Sequence, residues 1–325
     1  MQSGPRILVV LGTGGTIAGE AASPADELSY RSAALPVEAL VGGLRPPAGF
    51  VLESEQVAQL DSKDMDFATW RRLALRTASH LARDDVAAIV VTHGSDTLEE
   101  TAYFLQRILA PAKPVVLTAA MRPATSARAD GPQNLRDAMA VATAPAARGV
   151  VVVVAGAVHA ALDVRKVHPQ RPDAFASGDA GPLARVENGE LRMRRPWPGD
   201  DIAAARDLDR LLPADPAQWP WVAIVASVAG SEAREVRALV DAGADGIVVA
   251  ATGNGTVHRA VESALREAAA RGCPVLRATR CLAGAIVEPA PPAADALPSA
   301  GALTPQQARV ELIVRLLARR AAPRA

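Results

Sequence analysis

The chain has 325 residues, with 35 Lys and Arg balanced by 35 Asp and Glu, so its formal net charge is zero. That length allows one large or two ordinary domains with a sizeable core, and the even charge leaves no electrostatic footprint for nucleic acid or an anionic membrane. Half of the residues are hydrophobic and only 3% are aromatic, so Ala, Val, Leu and Ile must build the core, which suits buried parallel strands and the helices that cover them.

The opening MQSGPRILVV runs straight into a strand-like segment. It lacks a charged region, a separate apolar stretch and a small-residue cleavage site, so no signal peptide is expected. AIVVT and GVVVVVAG are too short to span a bilayer. Cys273 and Cys281 alone make neither a disulfide framework nor a zinc site. The expectation is a soluble cytoplasmic protein.

In chain order, RILVVLG (6–12) reads as a strand, residues 36–43 as a short helix and FVLESEQV (50–57) as a strand. Residues 64–83 carry apolar side chains at helical spacing, with an Asp at the start to cap. VAAIVVT (86–92) is a strand, TLEETAYFLQRIL (97–109) a helix, KPVVLTAA a strand, NLRDAMAVATA a helix and GVVVVVAG (149–156) a strand. A Pro- and Asp-rich stretch follows, and then the pattern restarts. WVAIVAS, DGIVVAA and CPVLRAT read as strands, separated by helices over 231–243 and 256–272 and closed by a helix over 304–320. Strands alternating with helices indicate parallel βαβ units. The expected fold is therefore α/β in two domains, each a mostly parallel sheet flanked by helices. The larger spans 1–195, a linker 196–217, and the smaller 218–325.

Four clusters of small polar residues follow expected strands. In GTGGTIAGE (12–20) the glycines allow a tight turn and close backbone approach, and Thr13 and Thr16 put hydroxyls into it. The third position of a dinucleotide fingerprint is Ile17, and no Lys completes a phosphate-binding loop. In LDSKDM (60–65), Ser62 and Asp64 are either ligand contacts or caps for the next helix. In THGSDT (92–97), Thr97 and Glu100 fit a capping box, which leaves His93, Ser95 and Asp96 unexplained. The fourth cluster, residues 119–138, is a long polar loop suited to a pocket wall, with Asn134 a contact or a cap. Carboxyl ends of strands are where open α/β sheets bind ligands. Lysine is scarce: Lys63, Lys113 and Lys166 are the only three. A desolvated Lys can give up its proton where Arg cannot.

TGGTIAG (13–19), THGSDTLEETAYFL (92–105) and MRPATSARADGPQNL (121–135) together resemble the bacterial L-asparaginase family. KPVV (113–116), DVRK (163–166), DAGADGIVVAATGNG (241–255) and TPQQAR (304–309) extend the resemblance over nearly the whole chain. The resemblance implies hydrolysis of L-asparagine to L-aspartate and ammonia through a threonine-linked acyl-enzyme, often with activity on L-glutamine. It implies no metal and no cofactor. Carried onto these positions, Thr13 is the nucleophile and Tyr30, in a mobile loop, assists it. Ser95 takes the second hydroxyl position, acting with Asp96 and Lys166. Ser62 and Asp96 grip the substrate's α-carboxylate and α-ammonium. Asn254 and Glu288 reach a neighbouring subunit's site in a homotetramer with shared sites.

Two positions depart from the family's pattern. Ser95 stands where Thr is usual, keeping the hydroxyl and losing the methyl that restricts χ1. Lys63 stands at a substrate-binding position usually held by Gln or Glu. A cation there repels the substrate's ammonium unless it turns to the α-carboxylate or pairs with Asp64, so the asparagine-versus-glutamine preference stays open. The rivals are a glutaminase-asparaginase, the amidase subunit of a tRNA-dependent amidotransferase, and an α/β protein that binds a small molecule without turnover.

Overall fold

The first apolar run becomes β1 (Arg6–Gly14), two residues longer than its hydrophobic pattern implies. A small hairpin of β2 (Glu20–Ala21) and β3 (Tyr30–Arg31) follows, then α1 (Val37–Val41), β4 (Phe50–Leu60), α2 (Phe67–Leu81) and β5 (Val86–Thr92). After these come α3 (Leu98–Leu109), β6 (Val115–Thr118), α4 (Gly131–Ala142) and β7 (Val150–Val154). The computed structural model describes residues 6–199, 207–290 and 295–322, and it divides into two units, Met1–Leu208 and Asp209–Ala325.

Five parallel strands, in the order β4-β1-β5-β6-β7, form most of the first unit's sheet. All seven residues of β5 are buried, as expected for a strand covered on both faces. On one face Leu8, Val10, Ala88, Val90 and Val116 pack against Leu135, Ala138 and Met139 of α4 and Val37 of α1. Elsewhere Trp70 of α2 stacks on Phe104 of α3, with ring centroids 4.7 Å apart, and the Trp70 indole donates to Thr101. Each such fully buried Leu or Val side chain contributes roughly 1.5–3 kcal/mol.

Residues 157–193 add structure that the periodicity did not foresee. β8 (Ala157–Ala160), β11 (Ala184–Glu187) and β12 (Glu190–Met193) extend the sheet antiparallel beyond β7. β9 (Arg165–Lys166) and β10 (Phe175–Ala176) form a separate two-stranded pair. These pieces have two to four residues each, too few for a period to register.

Caps also differ from expectation. Asp66 caps α2, accepting from Thr69 N–H at 2.7 Å, while Ser62 and Asp64 lie in a 3₁₀ turn ahead of it. Thr97 makes no capping bond and instead donates to the Ser62 carbonyl at 2.8 Å. Asn134 lies inside α4, where it donates to Ala119 O and accepts from Ala155 N–H, tying two strand ends together.

In the second unit, β13 (Val222–Ala226), β14 (Gly246–Ala251) and β15 (Val275–Thr279) form a parallel sheet. α6 (Arg234–Asp241), α7 (Arg259–Ala270) and α8 (Pro305–Ala321) flank it. α8 opens with a capping box between Thr304 and Gln307. The unit boundary falls inside the stretch 196–217, whose residues 200–206 lie outside those described. Its later part carries the short α5 (Leu208–Leu211) and the buried Leu212.

Candidate active site

The chain leaves β1 for β4 on one side and later returns to place β5 on the other, so β1 and β5 flank a topological switch point. Such points are where open α/β sheets bind ligands, beyond the carboxyl ends of the strands. The register pairs Gly12 with Thr92, which brings the turns after both strands to the same level. Glycine lets them touch. A Cβ on Gly15, whose φ is +81°, would lie 2.2 Å from Gly94 Cα, and a Cβ on Gly94 would lie 2.4 Å from Ser62 Oγ. The loops after β1 and β5 thus meet backbone against backbone, and the Ser62 side chain of the loop after β4 presses on Gly94.

Above this contact opens a cavity of about 590 Å³. Thr16, Tyr30, Ser95, Asp96 and Lys166 line it, with Asp61, Met121 and Arg122 on the wall. The hydroxyl turn, the hairpin, the β5 loop, the polar loop after β6 and strand β9 therefore converge on one space.

The structure corrects the placement of one hydroxyl. Thr13 still belongs to β1 and is 1% exposed. Its Oγ1 donates to the Thr92 carbonyl at 2.9 Å, bridging β1 to β5, and it does not line the cavity. Thr16, three residues on and past the end of the strand, does line it, and its Oγ1 lies 2.8 Å from the Tyr30 hydroxyl. Of the two threonines in the glycine turn, Thr16 is therefore the one that reaches the cavity.

On the facing loop, Lys166 Nζ donates to Ser95 Oγ at 2.9 Å and to Asp96 Oδ1 at 2.6 Å. Because Lys166 supplies the hydrogen, the Ser95 hydroxyl keeps its own to donate elsewhere. Lys166 is held from its backbone too: its N–H donates to the Glu99 carboxylate at 2.5 Å. Glu99 went unnoticed in the sequence, where it looked like one more helix residue. It is 8% exposed, and burial raises its pKa to about 7 against the lowering effect of the Lys166 N–H.

Ser62 and Lys63 are not among the residues lining the cavity. Ser62 is 1% exposed, and its Oγ accepts from Asp96 N–H at 3.2 Å. Lys63 was expected to touch substrate; instead its ammonium folds back onto Asp61 at 3.0 Å and Asp64 at 3.1 Å. Hydrogen bonds to those two carboxylates raise its pKa further. Two acceptors within reach along its own turn satisfy the cation locally, away from the cavity lining.

His93 is fully buried and does not line the cavity. Its Nδ1 lies 2.7 Å from the Gly94 carbonyl, which only accepts, so Nδ1 carries the hydrogen. Burial pushes its pKa down to about 4, so the ring stays neutral. Among the described residues no group of His, Cys, Asp and Glu is arranged to hold a metal ion.

Asn254 and Glu288 belong to the second unit. The Asn254 amide donates to Val287 O and accepts from Val287 N–H, which pins the two loops together. The Glu288 carboxylate pairs with Arg277 at 2.6 Å. No helix among the described residues is long and apolar enough to cross a membrane.

Comparison with known proteins places the chain in a family. Residues 7–198 match the family model for the asparaginase N-terminal domain, and residues 221–323 that for the glutaminase/asparaginase C-terminal domain. L-asparaginase 2 of Escherichia coli (strain K12) is 38% identical over 313 residues, covering 94% of this chain and 87% of the relative. The glutaminase-asparaginase of Pseudomonas fluorescens biotype A is 36% identical over 284 residues, covering 86% of this chain and 77% of the relative. Among solved structures, the probable cytoplasmic L-asparaginase of Campylobacter jejuni superposes with a TM-score of 0.83 at 33% identity, covering 96% of this chain and 95% of that one. With both of its domains matched and its hydroxyl-bearing turns meeting at one cavity, the chain belongs to the asparaginase family.

Proposed function

We propose that this protein is an L-asparaginase, which hydrolyses the side-chain amide of L-asparagine to give L-aspartate and ammonia, with Thr16 as its nucleophile. The hydrogen bond between Thr16 Oγ1 and the Tyr30 hydroxyl, on the wall of the shared cavity, carries the assignment. An amide is a poor electrophile, and passing through an acyl-enzyme splits one hard step into two easier ones. Thr16 Oγ attacks the amide carbon as its proton passes to the Tyr30 oxygen, which hands its own hydroxyl proton on toward the leaving nitrogen. The carbonyl electron pair moves onto oxygen. When that pair returns, the C–N bond breaks and the nitrogen leaves with a proton as ammonia. Water then attacks the ester carbon, and Thr16 is released with its proton restored.

Ser95, Lys166 and Asp96 face the same carboxamide from the second loop. Lys166 fixes the Ser95 oxygen, and the free Ser95 hydrogen is available to the leaving nitrogen. Asp96 also offers a carboxylate to the substrate's α-ammonium. Ser62, whose oxygen accepts from Asp96 N–H, holds the backbone of the loop that carries Asp96. In this reading Thr13 is structural. Asn254 and Glu288 complete the site of a neighbouring subunit in a homotetramer, and the protein acts in the cytoplasm.

Ammonia release from L-asparagine and L-glutamine by the purified protein tests the reading, with Thr16→Ala as the inactive control. The kinship with a glutaminase-asparaginase makes L-glutamine the informative second substrate. An intact protein that releases no ammonia from either would overturn it.

A further inference from the structure

The hairpin that carries Tyr30 is thinly tied. Its strands share two residue pairs, Glu20 with Arg31 and Ala21 with Tyr30. Between them, Leu28 at the tip is 79% exposed. The tip folds on itself through Asp26, whose carboxylate accepts from Leu28 N–H and Ser29 N–H. None of these bonds connects the tip to the body of the unit.

Glu27 makes that connection. Arg128 donates to both of its carboxylate oxygens, Nε to Oε1 and Nη2 to Oε2, each at 2.9 Å. Arg122 Nε approaches Oε2 at 3.4 Å, and Ser126 Oγ lies 3.3 Å from Oε1. Against the raising effect of burial, Arg128 and Arg122 hold the Glu27 carboxyl below its ordinary range. The receiving loop is itself fixed. The Asp130 carboxylate accepts from Met121 N–H and Arg122 N–H, each at 2.9 Å, at the head of α4. Two backbone ties run alongside the ion pairs: Ala127 N–H to Pro24 O, and Ala21 N–H to Thr125 Oγ1.

We infer that Glu27, clamped by Arg128 and Arg122, is a positioning residue that latches the hairpin over the cavity and sets Tyr30 against Thr16. The bidentate fork gives the latch one defined geometry. Its partial exposure keeps it weak enough to release when product must leave. This inference rests on the proposed roles of Thr16 and Tyr30.

A double-mutant cycle tests it, using Glu27→Ala, Arg128→Ala, the pair together, and the charge swap Glu27→Arg with Arg128→Glu. Each single variant is expected to lower kcat/KM for L-asparagine by roughly three- to tenfold, with the double no worse than either single. The swap is expected to recover part of the loss. Raising NaCl to about 1 M should lower wild-type kcat/KM and leave Glu27→Ala unchanged. Deuterium uptake by the amides of residues 22–29 should speed up in both single variants, with unfolding temperatures close to wild type. Wild-type kinetics in both single variants would overturn the inference. So would loss in Glu27→Ala alone, which would mean that the carboxylate touches substrate. If the wild type releases no ammonia, the function reading fails, while the exchange measurement still reads the latch.

Discussion

The Tyr30 hydroxyl stands 2.8 Å from Thr16 Oγ1, joining a hairpin to the glycine turn after the first strand. Removing that oxygen takes away the proton acceptor and little else, because Tyr30 is only half-buried. Tyr30→Phe is expected to lower kcat by about 10²–10³, within the usual range for a lost general base, with KM changed only modestly. Steady-state ammonia release at several substrate concentrations separates the two constants.

Lys166 touches both Ser95 and Asp96. Lys166→Met removes both contacts at once, and more than a hundredfold loss in kcat/KM is expected. Stability should barely change, because the Asp96 carboxylate it abandons is 53% exposed and remains hydrated. Paired kinetic and thermal-melting measurements check this split between activity and fold.

Gly15 sits where two loop backbones meet, with φ at +81° and no room for a Cβ. Gly15→Ala must both strain a left-handed backbone and push the Gly94 loop away. The strain alone costs about 1–3 kcal/mol. Thr16 and Ser95 ride on the two displaced loops, so activity should fall further than the drop in melting temperature implies. Gly43, which has nothing near a Cβ, provides the comparison: Gly43→Ala should leave kinetics unchanged.

Glu99 gives a pH prediction with a definite sign. Its folded pKa is raised to about 7 from an ordinary 4.5, so between those values the folded chain holds a proton that the unfolded chain has lost. Its contribution to stability is therefore full below about pH 4.5 and falls as pH rises through 7, by at most about 3 kcal/mol. Glu99→Gln keeps an oxygen for the Lys166 N–H and cannot ionise. The melting temperature of the variant relative to wild type should rise from pH 5 to pH 8. A difference that stays flat across that range would show that the carboxyl does not titrate there.

The sequence revealed the parallel strands because each is an unbroken apolar run, as in VAAIVVT. It also placed Ser95, Asp96 and Lys166, whose residue types are uncommon in such runs or in this chain. It pointed to Thr13 as the nucleophile, whereas Thr16 is the threonine that lines the cavity. Both follow an apolar run inside one glycine turn, and only the true end of β1 at Gly14 decides which still faces a neighbouring strand. Lys63 was opaque for a different reason. Its position along the chain is fixed, but its direction depends on Asp61 and Asp64 competing for the same ammonium. β12 reads Glu-Leu-Arg-Met and is largely exposed, so no buried face marked it. Glu27 and Arg128 are 101 residues apart, and nothing short of the fold brings them together.

The most direct test compares two threonines three residues apart. Ammonia release from L-asparagine is measured for wild type, Thr16→Ala and Thr13→Val, with melting temperatures alongside. The account predicts a loss of about 10³-fold or more for Thr16→Ala in a fully folded protein. It predicts lowered stability but activity within about tenfold of wild type for Thr13→Val, which loses the bridge to Thr92. A folded Thr16→Ala variant that still turns over, or a stable Thr13→Val variant that does not, would contradict it.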